Sequence, residues 1–319
     1  MAAAPAPLPA ALQGILSAWV AVDPVSISLL PQVRRAAANR SPLLISGEPG
    51  SGKDLLATLI HYLGPNAQAP LVKLACATLP EAFLSTELFG SEAVVGAGVT
   101  HVTRGRLEIA GGGTVLLHEI SALSMAQQER LLHAIEQQCF QRTGGTKFVP
   151  MSARVIALTT TDLQRAVTRG SFREDLYFRL AVAPLVVPPL RQRVRDIAPM
   201  AEHFVRQLCQ VHRKPPIKLT SDIVARLEAY AWPGNVSELR DVMTRLVVST
   251  RNGQPTLDDL PAHLRVAADT QRKMSLEELE RSYIAEVLAY THGKKTIAAG
   301  ILGISRKTLL EKRKRYGLM

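Results

Sequence analysis

Residues 43–60 read Leu43-Leu44-Ile45-Ser46-Gly47-Glu48-Pro49-Gly50-Ser51-Gly52-Lys53-Asp54-Leu55-Leu56-Ala57-Thr58-Leu59-Ile60. An apolar triplet runs into a glycine-rich loop, a lysine closes the loop, and apolar residues follow at helical spacing. A strand joined to a helix in this way can aim successive backbone N–H groups and a helix N-terminus at phosphate oxygens, and the glycines leave no side chain in the way. Lys53 adds a point charge within reach of the outer phosphates. The candidate cofactor-binding residues here are Gly47, Glu48, Pro49, Gly50, Ser51, Gly52, Lys53 and Asp54, with ATP as the cofactor class. Asp54 stands where a Ser or Thr usually offers magnesium a hydroxyl. The bland alternative is a glycine turn without a ligand, and the flanking strand, helix and lysine together weigh against it.

Outward from the loop, Val115-Leu116-Leu117 follows three glycines, and Val155-Ile156-Ala157-Leu158 forms another continuous apolar run. Runs of this kind suit strands covered on both faces, so an α/β fold with a parallel sheet is expected. Beyond Pro188-Pro189, the stretches Asp196 to Val211 and Ser221 to Thr250 carry apolar residues at helical spacing, which predicts an all-helical lid. Arg251-Asn252-Gly253-Gln254-Pro255 stops those helices, and the polar residues that follow read as a linker. The expected organisation is a flexible leader at 1–20, an α/β nucleotide-binding part at 21–190, a helical lid at 191–252, a linker at 253–274 and a separate unit at 275–319.

That last unit opens with Ser275-Leu276-Glu277-Glu278, a capping box, and continues with Leu279, Tyr283, Ile284, Val287 and Leu288 along one helical face. Thr296 to Leu302 forms a second helical stretch, Gly303-Ile304-Ser305 a turn, and Arg306 to Tyr316 a third helix. Ala298 and Ala299 let two helices cross closely, Gly303 permits the tight turn, and Ser305 can cap a helix bound for the major groove. The candidate DNA-binding residues are Lys295, Thr296, Ser305, Arg306, Lys307 and Thr308, with Lys312, Arg313, Lys314 and Arg315 gripping the backbone. A solvated basic helix face is the plainer alternative.

Charge favours the DNA reading. The 319-residue chain carries a formal +11, and residues 271–319 hold eleven Lys plus Arg against five Glu and no Asp, which is more than half of the excess. Such a balance attracts polyanions, nucleic acid most commonly but anionic membrane surfaces as well, and it is the turn architecture that makes double-stranded DNA the expected partner. Cys76, Cys139 and Cys209 lie far apart with no CxxC spacing, so neither a disulfide framework nor a zinc site is indicated. His118 has no second ligand on its own apolar run, so no metal site is assigned there. No run approaches the roughly 18 to 20 apolar residues of a membrane span, and residues 1–16 lack the pattern of a secretion signal, so a soluble, cytoplasmic protein without a membrane partner is expected.

The motifs taken in order carry a family resemblance. Glu48 to Asp54, Leu79-Pro80 to Glu87-Leu88-Phe89-Gly90, Gly112-Gly113-Thr114 to Glu119-Ile120, Phe172 to Leu180, Pro188-Pro189-Leu190-Arg191 and Trp232-Pro233-Gly234-Asn235-Val236 resemble the AAA+ domain of sigma-54-dependent transcription activators. The tail resembles the Fis-type helix-turn-helix found at the C-terminus of the same family. The resemblance runs from about Val25 to Met319. It implies a ring-forming ATPase core in which Glu119 polarises water, position 118 helps to hold magnesium, Thr160 stands at the sensor position, and Arg173 and Arg179 reach a neighbour's γ-phosphate. A homo-oligomer, or a hetero-oligomer with a related AAA+ protein, is implied with it, as is contact with RNA polymerase or a sigma factor. For Arg173 and Arg179, ordinary salt bridging with Glu174 and Asp175 is an equal reading.

Several positions depart from the family pattern. The usual Asp-Glu pair is His118-Glu119, and an imidazole is a poor partner for a hard, oxygen-loving cation. Thr160 replaces an Asn, Ala75 replaces the Asn that restrains the catalytic Glu, and Ser237 replaces the lid Arg, with Arg240 three residues on as the candidate substitute. The sigma-54-contacting loop, usually Gly-Ala-Phe-Thr-Gly-Ala, stands here as Val94-Val95-Gly96-Ala97-Gly98-Val99, without its aromatic and its hydroxyl. An aromatic anchor is commonly worth about 2 kcal/mol or more at a hot spot, so engagement of sigma-54 through this loop is expected to be poor. The leading reading is a DNA-binding transcription regulator whose core binds ATP with hydrolysis weak or lost. The alternatives are a working ATPase that remodels sigma-54 RNA polymerase, and a partner subunit in a mixed ring. Forty-five residues precede Ser46, and input through a partner, expression level or nucleotide is expected.

Overall fold

The computed structural model describes residues 19–95, 99–250, 253–265, 280, 281, 283–285, 287, 288, 291 and 294–317. The first helix, α1 (Pro24–Ala38), starts where Asp23 accepts a hydrogen bond from the Val25 N–H and proline sets the first turn. It leads to β1 (Leu43–Gly47), the glycine loop and α2 (Lys53–Leu63), which buries Leu56, Ala57, Leu59 and Ile60. There follow β2 (Leu71–Ala75), α3 (Glu81–Phe89), the antiparallel hairpin β3 (Gly90–Val95) and β4 (Val99–Arg104), the short α4 (Arg106–Ile109) and β5 (Thr114–His118). Next come α5 (Met125–Gln137), which opens on a Ser124/Gln127 capping box, the hairpin β6 (Cys139–Gln141) and β7 (Phe148–Pro150), β8 (Arg154–Thr159), α6 (Leu163–Thr168), α7 (Glu174–Leu180) and β9 (Leu185–Val187).

Five strands pair in parallel in the order β2-β5-β8-β1-β9. Alternation along them shows why the apolar runs are continuous. Val115, Leu117, Val155 and Ala157 enter one core, with α3, α5 and α7, while Leu116, Ile156, Leu158, Leu43 and Ile45 enter the opposite one, with α1 and α2. Both faces are covered by helices, as the α/β reading required. The loops leaving β1, β5 and β8 therefore open at the same edge of the sheet, the carboxyl ends of the strands, where such folds place ligands.

The lid consists of α8 (Ile197–Val211), α9 (Ser221–Ala229) and α10 (Asn235–Ser249). The chain divides into two compact units, Met1–Pro261 and Ala262–Met319. The division falls inside the stretch read as a linker, and part of that stretch is packed: Leu260 and Leu264 are both buried.

In the second unit, α11 (Lys295–Ile301) and α12 (Arg306–Arg315) close on Ile284, Val287, Ala298, Ala299, Leu309 and Tyr316. Ala298 and Ala299 are buried at the crossing, Gly303 takes φ +66°, and the Ser305 hydroxyl accepts the Thr308 N–H at 3.0 Å. The helix-turn-helix is thus built as read. Tyr283, expected on the apolar face, is 53% exposed, because the core closes on Ile284 and Val287 without it. The 275–278 capping box, Leu279 and most of the 1–20 leader lie outside the described residues. No helix among the described residues is long and apolar enough to cross a membrane.

Candidate functional site

A cavity of about 770 Å³ lies where the strand ends meet the lid. Pro49 to Asp54, Lys73, His118, Glu119 and Thr160 line it from the core, and Phe204, Gln207, Ser237 and Arg240 from the lid. The sequence-assigned residues Pro49, Gly50, Ser51, Gly52, Lys53, Asp54, His118, Glu119 and Thr160 therefore converge, and Gly47 and Glu48 sit behind them.

Lys53 is held by its own loop, donating to the Gly47 and Glu48 carbonyls at 2.8 and 2.9 Å. Partial burial lowers its pKa, and the charge of Glu119 opposes that. Glu119 follows β5 at φ 52°, a left-handed conformation uncommon for a side-chain-bearing residue and typical of functional turns. Its Oε2 accepts from the Thr160 N–H and hydroxyl, both at 2.9 Å, so the sensor-position Thr does reach the carboxylate. Ala75 offers nothing to it. Cys76, buried beneath, has its thiol pushed up to about 12 by burial with Glu119 adding, which makes it an inert packing group.

Asp54 and His118, assigned separately from sequence, meet each other. The His118 Nε2 lies 3.0 Å from Asp54 Oδ1, and Lys73 Nζ donates to both Asp54 oxygens, at 3.1 and 2.8 Å. The hydrogen bond from His118 and then that of Lys73, with their charges, outweigh burial and hold the Asp54 carboxyl down at about 2. Lys73 went unrecognised in the sequence. Strand alternation would have found it, because on β2 it shares a face with Ala75, two residues on, and Ala75 is a motif position.

At the other end the lid is clamped to the loop. Glu48 departs from its assigned role: its carboxylate takes Arg191 Nη1 and Nη2 at 2.8 and 2.6 Å and Asn235 Nδ2 at 3.1 Å, and these partners hold it at about 2. It binds the lid, because two donors from the far side of the loop converge on it. Asn235 also donates to the Pro49 carbonyl and accepts from the Leu190 N–H. Val236 and Ser237 donate their backbone N–H groups to the Gly50 carbonyl. A Cβ on Gly50 would fall 2.3 Å from the Gly234 carbonyl oxygen, so this glycine is needed for lid contact as well as for phosphate approach. Arg193, fully buried, donates to the Ser51 carbonyl at 2.7 Å, and burial lowers its pKa while Asp196 and Asp23 oppose that. Ser237 presents no cation, whereas Arg240 does line the cavity.

Arg173, which precedes α7, and Arg179 within it stand outside this cavity. Arg173 pairs with Asp175 at 2.9 Å, one of the two partners of the salt-bridging alternative, and with Glu129 at 3.4 Å in place of Glu174. Arg179 is exposed and makes no ion pair among the described residues. In the second unit Lys295, Thr296, Ser305, Arg306 and Lys307 are exposed, and Thr308 is half-buried beside its cap. Lys312 pairs with Glu280, which also accepts the Tyr316 hydroxyl at 2.6 Å, and this pair ties the last helix into the fold. Arg313 is half-buried. No three His, Cys, Asp or Glu side chains gather in a metal-holding group among the described residues.

Comparison with known proteins adds three consecutive family matches: a sigma-54 interaction domain over residues 20–186, an AAA+ ATPase lid domain over 191–277, and a bacterial regulatory protein of the Fis family over 275–316. The chain is 36% identical over 308 residues to the regulatory protein AtoC of Escherichia coli, covering 93% of this chain and 67% of AtoC. It is 38% identical over 292 residues to the nitrogen fixation protein AnfA of Azotobacter vinelandii, covering 90% and 55%. Among solved structures, NtrX from Brucella abortus in complex with ATP matches with a TM-score of 0.71 at 32% identity, over 94% of this chain and 69% of that one. The chain thus spans between 55% and 67% of the length of these two relatives.

Proposed function

Because the chain belongs to the sigma-54-dependent transcription regulators, with an AAA+ core and a Fis-type helix-turn-helix, we propose that it binds ATP in the lid cavity, reads double-stranded DNA through its second unit, and hydrolyses ATP weakly or not at all. One observation carries the catalytic part. Glu119 is held against Thr160, while the positions that should restrain the carboxylate and sense the phosphate hold Ala75 and Ser237, which can do neither through their side chains. Binding groups survive in Lys53, the loop and Arg240. The NtrX structure in complex with ATP, similar over most of this chain, supports ATP as the nucleotide.

Calorimetric titration with ATP beside a phosphate-release assay tests this. Binding is expected together with turnover far below the roughly 1 per second of slow ordinary enzymes. Turnover at or above that rate would reverse the catalytic half. For the DNA half, the double variant Arg306→Ala/Lys307→Ala of the full chain is expected to weaken duplex binding and to flatten the dependence of log K on log salt by about 0.9 for each phosphate no longer neutralised. An unchanged affinity and slope would remove α12 from the interface. A second reading, a partner subunit in a mixed ring, is favoured by Arg179 alone, exposed and without an ion pair among the described residues. Co-purification with a full-motif AAA+ protein, abolished by Arg179→Ala, would support it. Engagement of RNA polymerase or a sigma factor through the stretch Val94 to Val99, whose residues 96–98 lie outside the described residues, is proposed to be poor, since its sequence carries no aromatic.

A further inference from the structure

Magnesium beside a triphosphate asks for hard oxygen ligands in a near-octahedral array. The cavity offers two carboxylates, Asp54 and Glu119, and Asp54 has both its oxygens taken. Lys73 covers both oxygens of Asp54 and His118 takes one of them as well, while the Glu119 Oε2 faces Thr160. The Thr58 hydroxyl, on α2 at the cavity wall, is turned by its hydrogen bond to the Asp54 carbonyl at 2.7 Å. A divalent cation entering here would have to displace an ammonium group and then sit beside it. The donor set does not fit the metal.

The same residues suit an anion. Lys53, Lys73 and Arg240 supply three cations around the loop, and Asp54 fixes Lys73 at the cavity wall in place of leaving it on a free four-carbon stem. His118 matters for what it is not: a carboxylate at 118 would face the phosphates and need a metal between them, whereas an imidazole N–H simply holds Asp54. From this arrangement, and resting on the reading of the cavity as a nucleotide site, we propose that the chain binds its nucleoside triphosphate without a divalent metal, with Lys53, Lys73 and Arg240, set against the carboxylates of Asp54 and Glu119, supplying the excess positive charge that magnesium supplies in a carboxylate-lined site.

The test is calorimetric titration of the full chain with ATP in EDTA and again in millimolar magnesium chloride. Affinities within about threefold of each other are expected, and an affinity more than about tenfold tighter with magnesium overturns the proposal. Binding only with magnesium sinks this inference and leaves the nucleotide site standing. Binding under neither condition sinks both. Two variants make the assignment specific, each checked by thermal melting for an unchanged fold. His118→Asp is expected to lose about tenfold or more of its EDTA affinity and to recover it with magnesium, because it returns an uncompensated carboxylate to the phosphate side. Lys73→Met is expected to lose about tenfold in EDTA. If either folded variant binds ATP in EDTA as tightly as the parent chain, Lys73 and His118 do not stand in for the metal.

Discussion

The two ends of the cavity have been treated differently. At the lid end, Glu48, Arg191, Asn235 and the Gly50 carbonyl form a closed set of bonds, and even Ser237, where the family carries an arginine, still gives its backbone N–H to Gly50. At the far end, Ala75 and His118 bring other chemistry to their positions, and His118 and Lys73 both pair with Asp54. The lid-end set includes backbone groups and the buried Asn235 beside the exposed Glu48–Arg191 pair. The far-end set runs through half-exposed side chains alone. Geometry for holding a nucleotide can therefore outlast the equipment for cleaving it, because a backbone N–H is donated whatever side chain it carries, while a metal ligand disappears with a single substitution.

The sharpest way to break that contrast is to loosen the lid. Trp232 is fully buried, its indole N–H donates to the Leu227 carbonyl at 2.7 Å, and it begins the turn that delivers Asn235 to the loop. Trp232→Ala removes a large side chain from a closed core and should cost about 3–5 kcal/mol of stability, read by urea unfolding. Because the turn positions Asn235, ATP affinity should fall with it. A variant that melts early yet binds ATP normally would show that the lid end is dispensable.

A smaller effect separates the ends by charge. Arg240 is the one lid cation lining the cavity among the described residues, at the place where Ser237 no longer serves. Arg240→Ala should weaken ATP binding by about fivefold, close to 1 kcal/mol, with little change in melting temperature. Equal binding of ATP by the variant and the parent would mean that the lid holds nucleotide through shape alone.

Much of this was legible in the sequence, and the limits have a physical pattern. The sheet was read from β1, β5 and β8 because strands buried on both faces print as unbroken apolar runs, and the turn at Gly303-Ile304-Ser305 because glycine and a capping hydroxyl each have one job there. The loop residues were legible for the same reason, since Gly50 and Lys53 act where they stand in the chain. Lys73, Arg193 and the clamp on Glu48 were not. Each acts through a partner 19 or more residues away: Lys73 on Asp54, Arg193 on Ser51, and Arg191 on Glu48 across 143 residues. The pairing of Lys312 with Glu280 was hidden in the same way.

The finest probe of the lid end is acid. Glu48 is held at about 2 by Arg191 and Asn235, down from an ordinary 4.5, so its carboxylate is more easily kept ionised in the folded chain than in the unfolded one. A depressed carboxyl contributes stability that is complete above its unfolded pKa and is lost as pH falls through its folded value. The contribution should therefore be full above about pH 5 and should fade between there and about pH 2. Since Glu48 and Arg191 are both partly exposed, solvent screening limits it to about 1 kcal/mol or less, a shift of a few degrees at most in melting temperature. Glu48→Gln should melt slightly below the parent chain at neutral pH, and the two curves should converge as the buffer is taken from pH 5 towards 3. A gap that stays constant across that range would mean the carboxylate's charge plays no part in holding the lid, and that the clamp works by the hydrogen bonds an amide can equally make.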